Sequence, residues 1–239
     1  LAGLPARMIV PHGEPFEINC SVQYRSFWRP QRARGQYERQ PNLEAAVKEG
    51  AVQLKIPGQV QPGLLKIRLG DVTRSVAISP THRPSLKQMS ASIQLPEYLQ
   101  YPVQAEKIQN GSINVLEGSR VVFHGQASRA LASAELRLVG DDPLPLRVQA
   151  EKFSSDPLNL DAVTYCTFNW QDELGLSSAG AWRLNTLPLK DTPPMPELAD
   201  LAREVAILET EVLQLKTVGH DDFGVRELGL VWELVTEWQ

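Results

Sequence analysis

The sequence predicts an all-β chain of β-sandwich domains in series, two of them complete and the last one partial. Three observations lead to this. Short runs of alternating apolar and polar residues are separated by turn residues along most of the 239-residue chain. An apolar step, a tight turn and an alternating strand recur at domain-sized intervals, which is typical of tandem repeats. Proline-rich stretches divide the chain between the recurrences.

The recurring pattern is clear in two copies and weaker in a third. The copies occupy residues 10–20, 115–123 and 207–215. Gly13 and Gly118 hold the same turn position in the first two copies. Recurrence of a whole strand-turn-strand unit indicates similar domains along one chain.

The first domain is predicted to span residues 1–83. Its clearest strands are Phe16 to Val22, Ala51 to Ile56, Leu64 to Leu69 and Val72 to Ser79. Gly70-Asp71 suits a tight hairpin turn between the last two. The stretch from Thr81 to Pro84 then acts as a linker, because the residue before a proline is driven to extended geometry.

The second domain is predicted to span residues 84–190. Its strands are Ser90 to Leu95, Ser119 to Ala127, Ala134 to Val139, Leu146 to Ala150, Val163 to Trp170 and Ala181 to Leu187. In the strand before the Gln171 to Ser178 hairpin turn, the side that carries Cys166, Phe168 and Trp170 is expected to face the core.

The third and partial domain is predicted to span residues 191–239, after the proline-rich linker at 191–196. One or two helical turns are predicted at 197–204, and strands near 205–208, 212–218 and 225–235. A sandwich with half its strands exposes an apolar face, so we expect residues outside this sequence, another chain or the second domain to complete it. Since the chain begins at Leu1 and ends in a predicted strand, we interpret it as a segment of a longer protein.

Composition and motifs exclude several classes of protein. With 42% hydrophobic residues and no run of about 20 apolar residues, the chain is typical of a globular protein without a membrane span. Cys20 and Cys166 fall in different predicted domains and are interpreted as unpaired core thiols. The four histidines lack zinc-site spacing, and neither a phosphate loop nor a nucleophile elbow is present, so no enzyme is predicted.

Five short motifs carry a resemblance to a known family. They are Pro96-Glu-Tyr98, Val115-Leu-Glu-Gly118-Ser, Ala134-Glu-Leu, Asp172-Glu-Leu-Gly-Leu176 and Asp221-Asp-Phe-Gly-Val225. From about residue 83 onward, the chain resembles the immunoglobulin-like repeats of large, membrane-anchored bacterial envelope proteins of uncharacterised function. The resemblance implies immunoglobulin-like or fibronectin-like sandwiches, a location in the periplasm or at the cell surface, and no catalytic residues.

Calcium is the one cofactor that the sequence raises. Asp221 and Asp222, with Asp172 and Glu173 in the preceding domain, could supply the oxygen ligands that calcium takes between tandem sandwich domains. The alternative is turn chemistry, in which Asp accepts hydrogen bonds from nearby backbone N–H groups. This alternative is favoured because no regularly spaced carboxylate loop accompanies these residues.

One cluster in the first domain is both basic and aromatic. It contains Arg25, Trp28, Arg29, Arg32, Arg34 and Tyr37. Such a composition binds anionic polymers such as nucleic acids or acidic polysaccharides. Solvated arginines whose stems cover aromatic rings are the alternative. Nucleic acid is not favoured, because the overall net charge is −4.

Charge is distributed unevenly along the chain. Residues 1–83 carry a net charge of +6, residues 84–190 carry −2 and residues 191–239 carry −8. This polarity would favour head-to-tail contacts between copies, or orientation on a charged partner. The alternative, surface charge that varies along the chain without consequence, is somewhat favoured.

The function predicted from the sequence is a non-enzymatic structural or interaction segment of a larger envelope or cell-surface protein. Its partners are expected to be proteins, met at strand edges or at junctions between domains. A carbohydrate-binding or anionic-polymer-binding domain that uses the basic and aromatic cluster is the alternative.

Overall fold

This computed structural model of the protein describes residues 1–24, 29–199, 206, 208 and 210–233. Over those residues the chain forms strands and one three-residue 3₁₀ helix, Glu97–Leu99. No helix of the described part has the length and apolar character needed to cross a bilayer. The chain is all-β, as the alternating sequence pattern predicts.

In its described residues the first sandwich contains seven strands. They are β1 (Arg7–Pro11), β2 (Phe16–Ser21), β3 (Arg32–Tyr37), β4 (Leu43–Lys48), β5 (Ala51–Ile56), β6 (Gly63–Leu69) and β7 (Val72–Thr81). Their hydrogen-bonded order is β1-β7-β6-β3-β4-β5-β2. Four residues of β4 pair with β3 and the last two pair with β5, so β4 connects the two layers. The four strands predicted for this domain are confirmed.

The core of this sandwich follows from strict alternation along the strands. In β6, Leu65, Ile67 and Leu69 are buried, whereas the residues between them face solvent. The side chains of β2 and β5 alternate in the same way, so both layers contribute one apolar face. Cys20 is a buried free thiol in this core, as predicted.

The second sandwich follows after four linker residues. Its strands are β8 (Leu86–Gln94), β9 (Gln104–Lys107), β10 (Ser112–Leu116), β11 (Arg120–Ala127), β12 (Leu131–Leu138), β13 (Leu144–Pro145), β14 (Arg147–Gln149), β15 (Lys152–Ser154), β16 (Leu158–Asn159), β17 (Tyr165–Asp172) and β18 (Trp182–Leu189). One sheet has the order β10-β18-β17-β12-β13 and the other β14-β15-β11-β8-β9, with β16 on β11.

An aromatic group joins these two sheets. Phe168 on β17 meets Phe123 on β11 edge to face, with ring centroids 5.4 Å apart, and both side chains are fully buried. Cys166 and Trp170 lie on the same inward side, as predicted, and Cys166 is a free thiol. The two sandwiches share no core residue, so each buries its own apolar set. The bounds of the domains along the chain stay a prediction.

The recurring sequence pattern corresponds to one structural unit in both sandwiches. β1 pairs in parallel with β7, and β10 pairs in parallel with β18, the last strand of its own domain. A turn follows each of these first strands, with Gly13 at φ 74° and Gly118 at φ 81°. Residues with side chains rarely adopt such φ values, which is why both copies carry glycine.

The third part is a small antiparallel pair, β19 (Met195–Ala199) and β20 (Lys216–His220). The helical turns predicted at 197–204 are wrong where the structure describes them, because residues 197–199 belong to β19. The strand predicted at 212–218 begins only at Lys216, and residues 225–233 form none. In the described residues these segments have no partner strand, and a strand needs one. Residues 200–205, 207 and 234–235 of those predictions lie outside the described residues.

Candidate functional site

The contacts between the two sandwiches form a first joint, which we define as the linker residues His82–Ser85 and the side chains that hold them. Arg83 lies at its centre. Its Nε and Nη2 donate to the two carboxylate oxygens of Glu14, each at 2.8 Å, and its Nη1 donates to the Ser177 carbonyl at 3.0 Å. Glu14 belongs to the turn after β1 and Ser177 to the hairpin after β17. A single guanidinium therefore bonds to both domains.

Further contacts hold the neighbours of Arg83. The Trp170 indole N–H donates to the Pro84 carbonyl at 3.0 Å, and the Ser85 N–H donates to the Ser128 Oγ at 3.0 Å. Pro84 and Trp170 are buried. On the other side of the linker the rings of His12 and His82 stack with centroids 4.1 Å apart.

The planar guanidinium of Arg83 makes two parallel hydrogen bonds to the Glu14 carboxylate, and such a pair stabilises the charged form of both groups. The hydrogen bond from Arg83 lowers the pKa of Glu14, and the same bond raises the pKa of Arg83. Both groups are therefore charged at neutral pH, and the contact persists over the physiological range.

A second joint lies where the third part meets the second sandwich. The Tyr98 hydroxyl donates to Asp191, and the Tyr101 hydroxyl donates to the Phe223 carbonyl at 2.8 Å. The carboxylates of Asp191, Asp221 and Asp222 offer oxygen atoms that lie within 4.8 Å of one another. Asp191 completes this group of three carboxylates, although it was not predicted from the sequence.

The hydrogen bond to Asp191 raises the pKa of Tyr98 to about 12. Because the pKa in the folded state exceeds the ordinary value near 10, the stabilisation is complete below about pH 10 and is lost as the pH rises through about 12. We predict a late phenolate step in an ultraviolet titration that Tyr98→Phe removes, separate from the step of Tyr37, whose pKa is raised by burial. In Asp191→Asn that step should move toward pH 10. An unchanged late step in Asp191→Asn would contradict the assignment.

The structure does not bring together the two acidic pairs, Asp172 with Glu173 and Asp221 with Asp222, that were predicted to share a calcium site. β17 and β18 are antiparallel, with Phe168 opposite Trp182. Asp172 therefore lies at one end of the second sandwich, near the first joint, and Asp191 follows β18 at the opposite end. Asp191, Asp221 and Asp222 are the described carboxylates that could hold one hard cation. Calcium at Asp221 and Asp222 stays a prediction, now without Asp172 and Glu173.

Asp172 instead stabilises its own turn. Its Oδ1 accepts the N–H groups of Leu174 and Leu176 at 3.0 and 2.7 Å. Nε of Arg129, whose side chain is 26% exposed, lies 3.1 Å from Oδ2, outside hydrogen-bond geometry, and serves as the counter-charge. Asp172 therefore has the turn-stabilising role that was the alternative to calcium binding. The neighbouring Glu173 is exposed.

The residues of the basic and aromatic cluster have different environments. Arg25 and Trp28 lie outside the described residues. The Arg29 guanidinium lies 5.5 Å from the centroid of the Tyr24 ring. Tyr37 points into the core, is 4% exposed and donates to the Gln61 carbonyl at 2.6 Å, so its ring offers no surface to a ligand.

Arg32 and Arg34 do face solvent, and the structure adds Lys66 and Arg68 beside them on β6. We call these four residues the basic sheet face. Arg34 lies directly opposite Arg68, because β3 and β6 pair in antiparallel register. Since the two strands are distant in sequence, their register could not be predicted, although the alternation of exposed Lys66 and Arg68 with buried leucine and isoleucine was visible.

One described contact has the elements of a catalytic pair. Ser92 Oγ and His124 Nε2 are 3.0 Å apart on the outer face of β8 and β11. Among the described residues, no carboxylate hydrogen-bonds to the His124 ring, so the pair lacks the group that orients a general base.

No protein-family model matches the chain, and no curated protein matches it. Among solved structures, it is similar to the I9-I11 tandem of titin, with 13% identity, a TM-score of 0.33, and coverage of 78% of this chain and 65% of that one. It is also similar to fibronectin(III)-like modules of CbhA from Clostridium thermocellum, with 10% identity, a TM-score of 0.37, and 78% and 92% coverage. For domains 4-9 of the surface layer protein SbsC, the identity is 7%, the TM-score 0.28, and the coverage 80% and 32%. The chain spans less than two thirds of the titin and SbsC chains.

Proposed function

We propose that this chain is a non-enzymatic structural segment of a larger envelope or cell-surface protein, located in the periplasm or at the cell surface. Its task is to hold neighbouring parts of that protein at a set distance and orientation while its surfaces contact protein partners. The observation that supports this best is Arg83, which bonds to Glu14 of the first sandwich and to the Ser177 carbonyl of the second.

The length of the linker supports the same proposal. Four residues separate β7 from β8, and four extended residues span at most about 14 Å. The ends of the two sandwiches must therefore lie close together. A long, flexible linker would leave their orientation free, whereas here the side chain of Arg83 and the backbone of Pro84 are both held.

The contacts at the first joint differ in strength. The Arg83–Glu14 pair is partly exposed, with side-chain exposures of 27% and 45%, so salt screens it. The bond from Trp170 to the Pro84 carbonyl is buried and contributes about 0.5–1.5 kcal/mol, as hydrogen bonds of this kind do. Arg83 sets the orientation, and the buried bond keeps the linker attached.

Nitrogen-15 relaxation tests the proposal. In the wild type we expect both sandwiches to report one rotational correlation time, because they move as one body. Arg83→Gln loses the charged fork, and its two sandwiches should report separate, shorter times.

Arg147→Gln is the matched control, since it breaks an exposed ion pair with Asp156 inside the second sandwich. It should keep the single correlation time. Separate times in the wild type itself would refute a spacer with a fixed joint.

Binding of a carbohydrate or anionic polymer remains the alternative. Its support is the exposure of Arg32 and Arg34, with side chains 77% and 65% exposed. The burial of Tyr37 weakens it, because stacking on bases or sugar rings needs an exposed aromatic face.

A further inference from the structure

The basic sheet face, Arg32, Arg34, Lys66 and Arg68, carries more positive charge than its surroundings balance. Arg34 and Arg68 are directly opposite on neighbouring strands, where like charges destabilise a sheet. Among the described carboxylates, Glu44 is the one paired with this face: it accepts from Arg32 at 3.3 Å and from Arg34 at 3.0 Å. Lys66 and Arg68 therefore lack an ion-pair partner within the described residues, and one carboxylate faces four positive charges.

The next strand makes this face suitable for carboxylates. Thr73 and Ser75 on β7 lie opposite Arg68 and Lys66, and both are exposed. Arginine forks bind carboxylates through two parallel N–H bonds, and small hydroxyl groups add donors without covering the charges. The described part of this face carries no exposed aromatic ring, so it suits acidic protein side chains better than bases or sugars.

The acidic counterpart is present in the same chain, but at its other end. Residues 191–239 hold eleven acidic and three basic side chains. Their described hairpin exposes Glu197, together with the apolar Met195 at 72% and Leu198 at 47%. The second sandwich lies between this part and the basic sheet face, because the first joint and Asp191 are at its opposite ends. A contact between the two charged surfaces therefore requires two molecules.

We propose that the basic sheet face of one molecule binds the acidic part, the described residues 191–199 and 210–233, of a second copy of this chain. Opposite charges steer and align the two surfaces, and the exposed apolar side chains of β19 add contact area. The two surfaces differ, so each molecule retains one free surface of each kind and the association continues head to tail. The inference rests on the proposed structural role, since repeated spacing units are what such an association would join.

Sedimentation of mixed charge-reversal variants tests this. Variant one is Arg34→Glu with Arg68→Glu, and variant two is Glu197→Lys with Asp222→Lys. All four side chains are exposed, so folding should be retained, which melting curves verify. In low salt with a chelator present, the wild type should form oligomers that grow with concentration. Each variant alone should associate at least about tenfold more weakly.

The mixture of the two variants is the decisive arm. Each supplies the surface that the other has lost, so the mixture should regain the association that each variant alone lacks. Reversal at Arg120 and Lys152 on the second sandwich makes the same change in net charge and should leave wild-type oligomers intact. Raising the salt to about 0.5 M should dissolve them, because screening then acts within a few ångströms.

Three outcomes would overturn the inference. They are a wild type that stays monomeric at low salt, oligomers that persist in variant one, and a monomeric wild type that binds heparin through Arg34 and Arg68. The last outcome would assign the basic sheet face to anionic polymers instead. The relaxation test of the first joint is run at low salt on monomeric variant one, in which the ion pair of Arg83 is intact, so its failure is separate from a failure here.

Discussion

Replacing Phe168 by alanine is expected to lower the free energy of unfolding of the second sandwich by about 3–5 kcal/mol, the usual cost of removing a buried phenylalanine. Phe168 is fully buried and touches rings from both sheets, with centroids 5.4 Å from Phe123 and 5.7 Å from Trp182. Its removal leaves a cavity between sheets that cannot close without moving both.

The first sandwich should keep its stability in Phe168→Ala, because the two cores share no residue. Urea unfolding followed by amide signals in two-dimensional NMR reports each sandwich separately. The matched variant is Leu65→Ala, a fully buried core position of the first sandwich, which should show the reverse pattern. Equal losses in both sandwiches from either variant would contradict two independent cores.

Replacing Asp172 by alanine is expected to cost about 1–3 kcal/mol, the range for leaving buried hydrogen-bond donors without their acceptor. The Asp172 side chain is fully buried beside Arg129 and accepts two backbone N–H groups. The variant leaves the arginine charge and both donors without their acceptor. The same hairpin supplies the Ser177 carbonyl to Arg83, so the first joint should loosen as well.

Glu173→Ala is the control for this experiment, because Glu173 is adjacent in sequence and exposed. Its effect should stay within about 0.5 kcal/mol, as for ordinary surface substitutions. Thermal melting of both variants with calcium and with a chelator separates the two roles considered for these carboxylates. Calcium-dependent stability lost equally in both variants would contradict the turn role of Asp172.

Local features of the fold could be predicted from the sequence. The His12 N–H donates to the Thr81 carbonyl, and the Glu117 N–H donates to the Leu189 carbonyl in the same way. This repeated unit was visible because its signal, a glycine turn between an apolar step and an alternating strand, lies within about ten residues. The strands β2, β5, β6 and β7 were predictable for the same reason.

Non-local features could not be predicted in the same way. The register that places Arg34 beside Arg68 depends on how β3 and β6, far apart in sequence, meet in one sheet. The separation of Asp172 from Asp191 had a signal in the sequence. Asp172 ends β17 and Asp191 follows β18, so a hairpin of two long strands places these residues at opposite ends of the second sandwich. In the third part, alternation alone predicted strands that find no partner among the described residues.

The distance between the two sandwiches tests the central claim most directly. Spin labels at Asn19→Cys and Asp141→Cys place one probe on an exposed site of each sandwich, away from the basic sheet face. Burial raises the pKa of the Cys20 and Cys166 thiols, so the native cysteines should not take the label. Pulsed electron resonance should give one narrow distance distribution in the wild type and a broader one in Arg83→Gln. A broad distribution in the wild type would contradict a joint of fixed geometry.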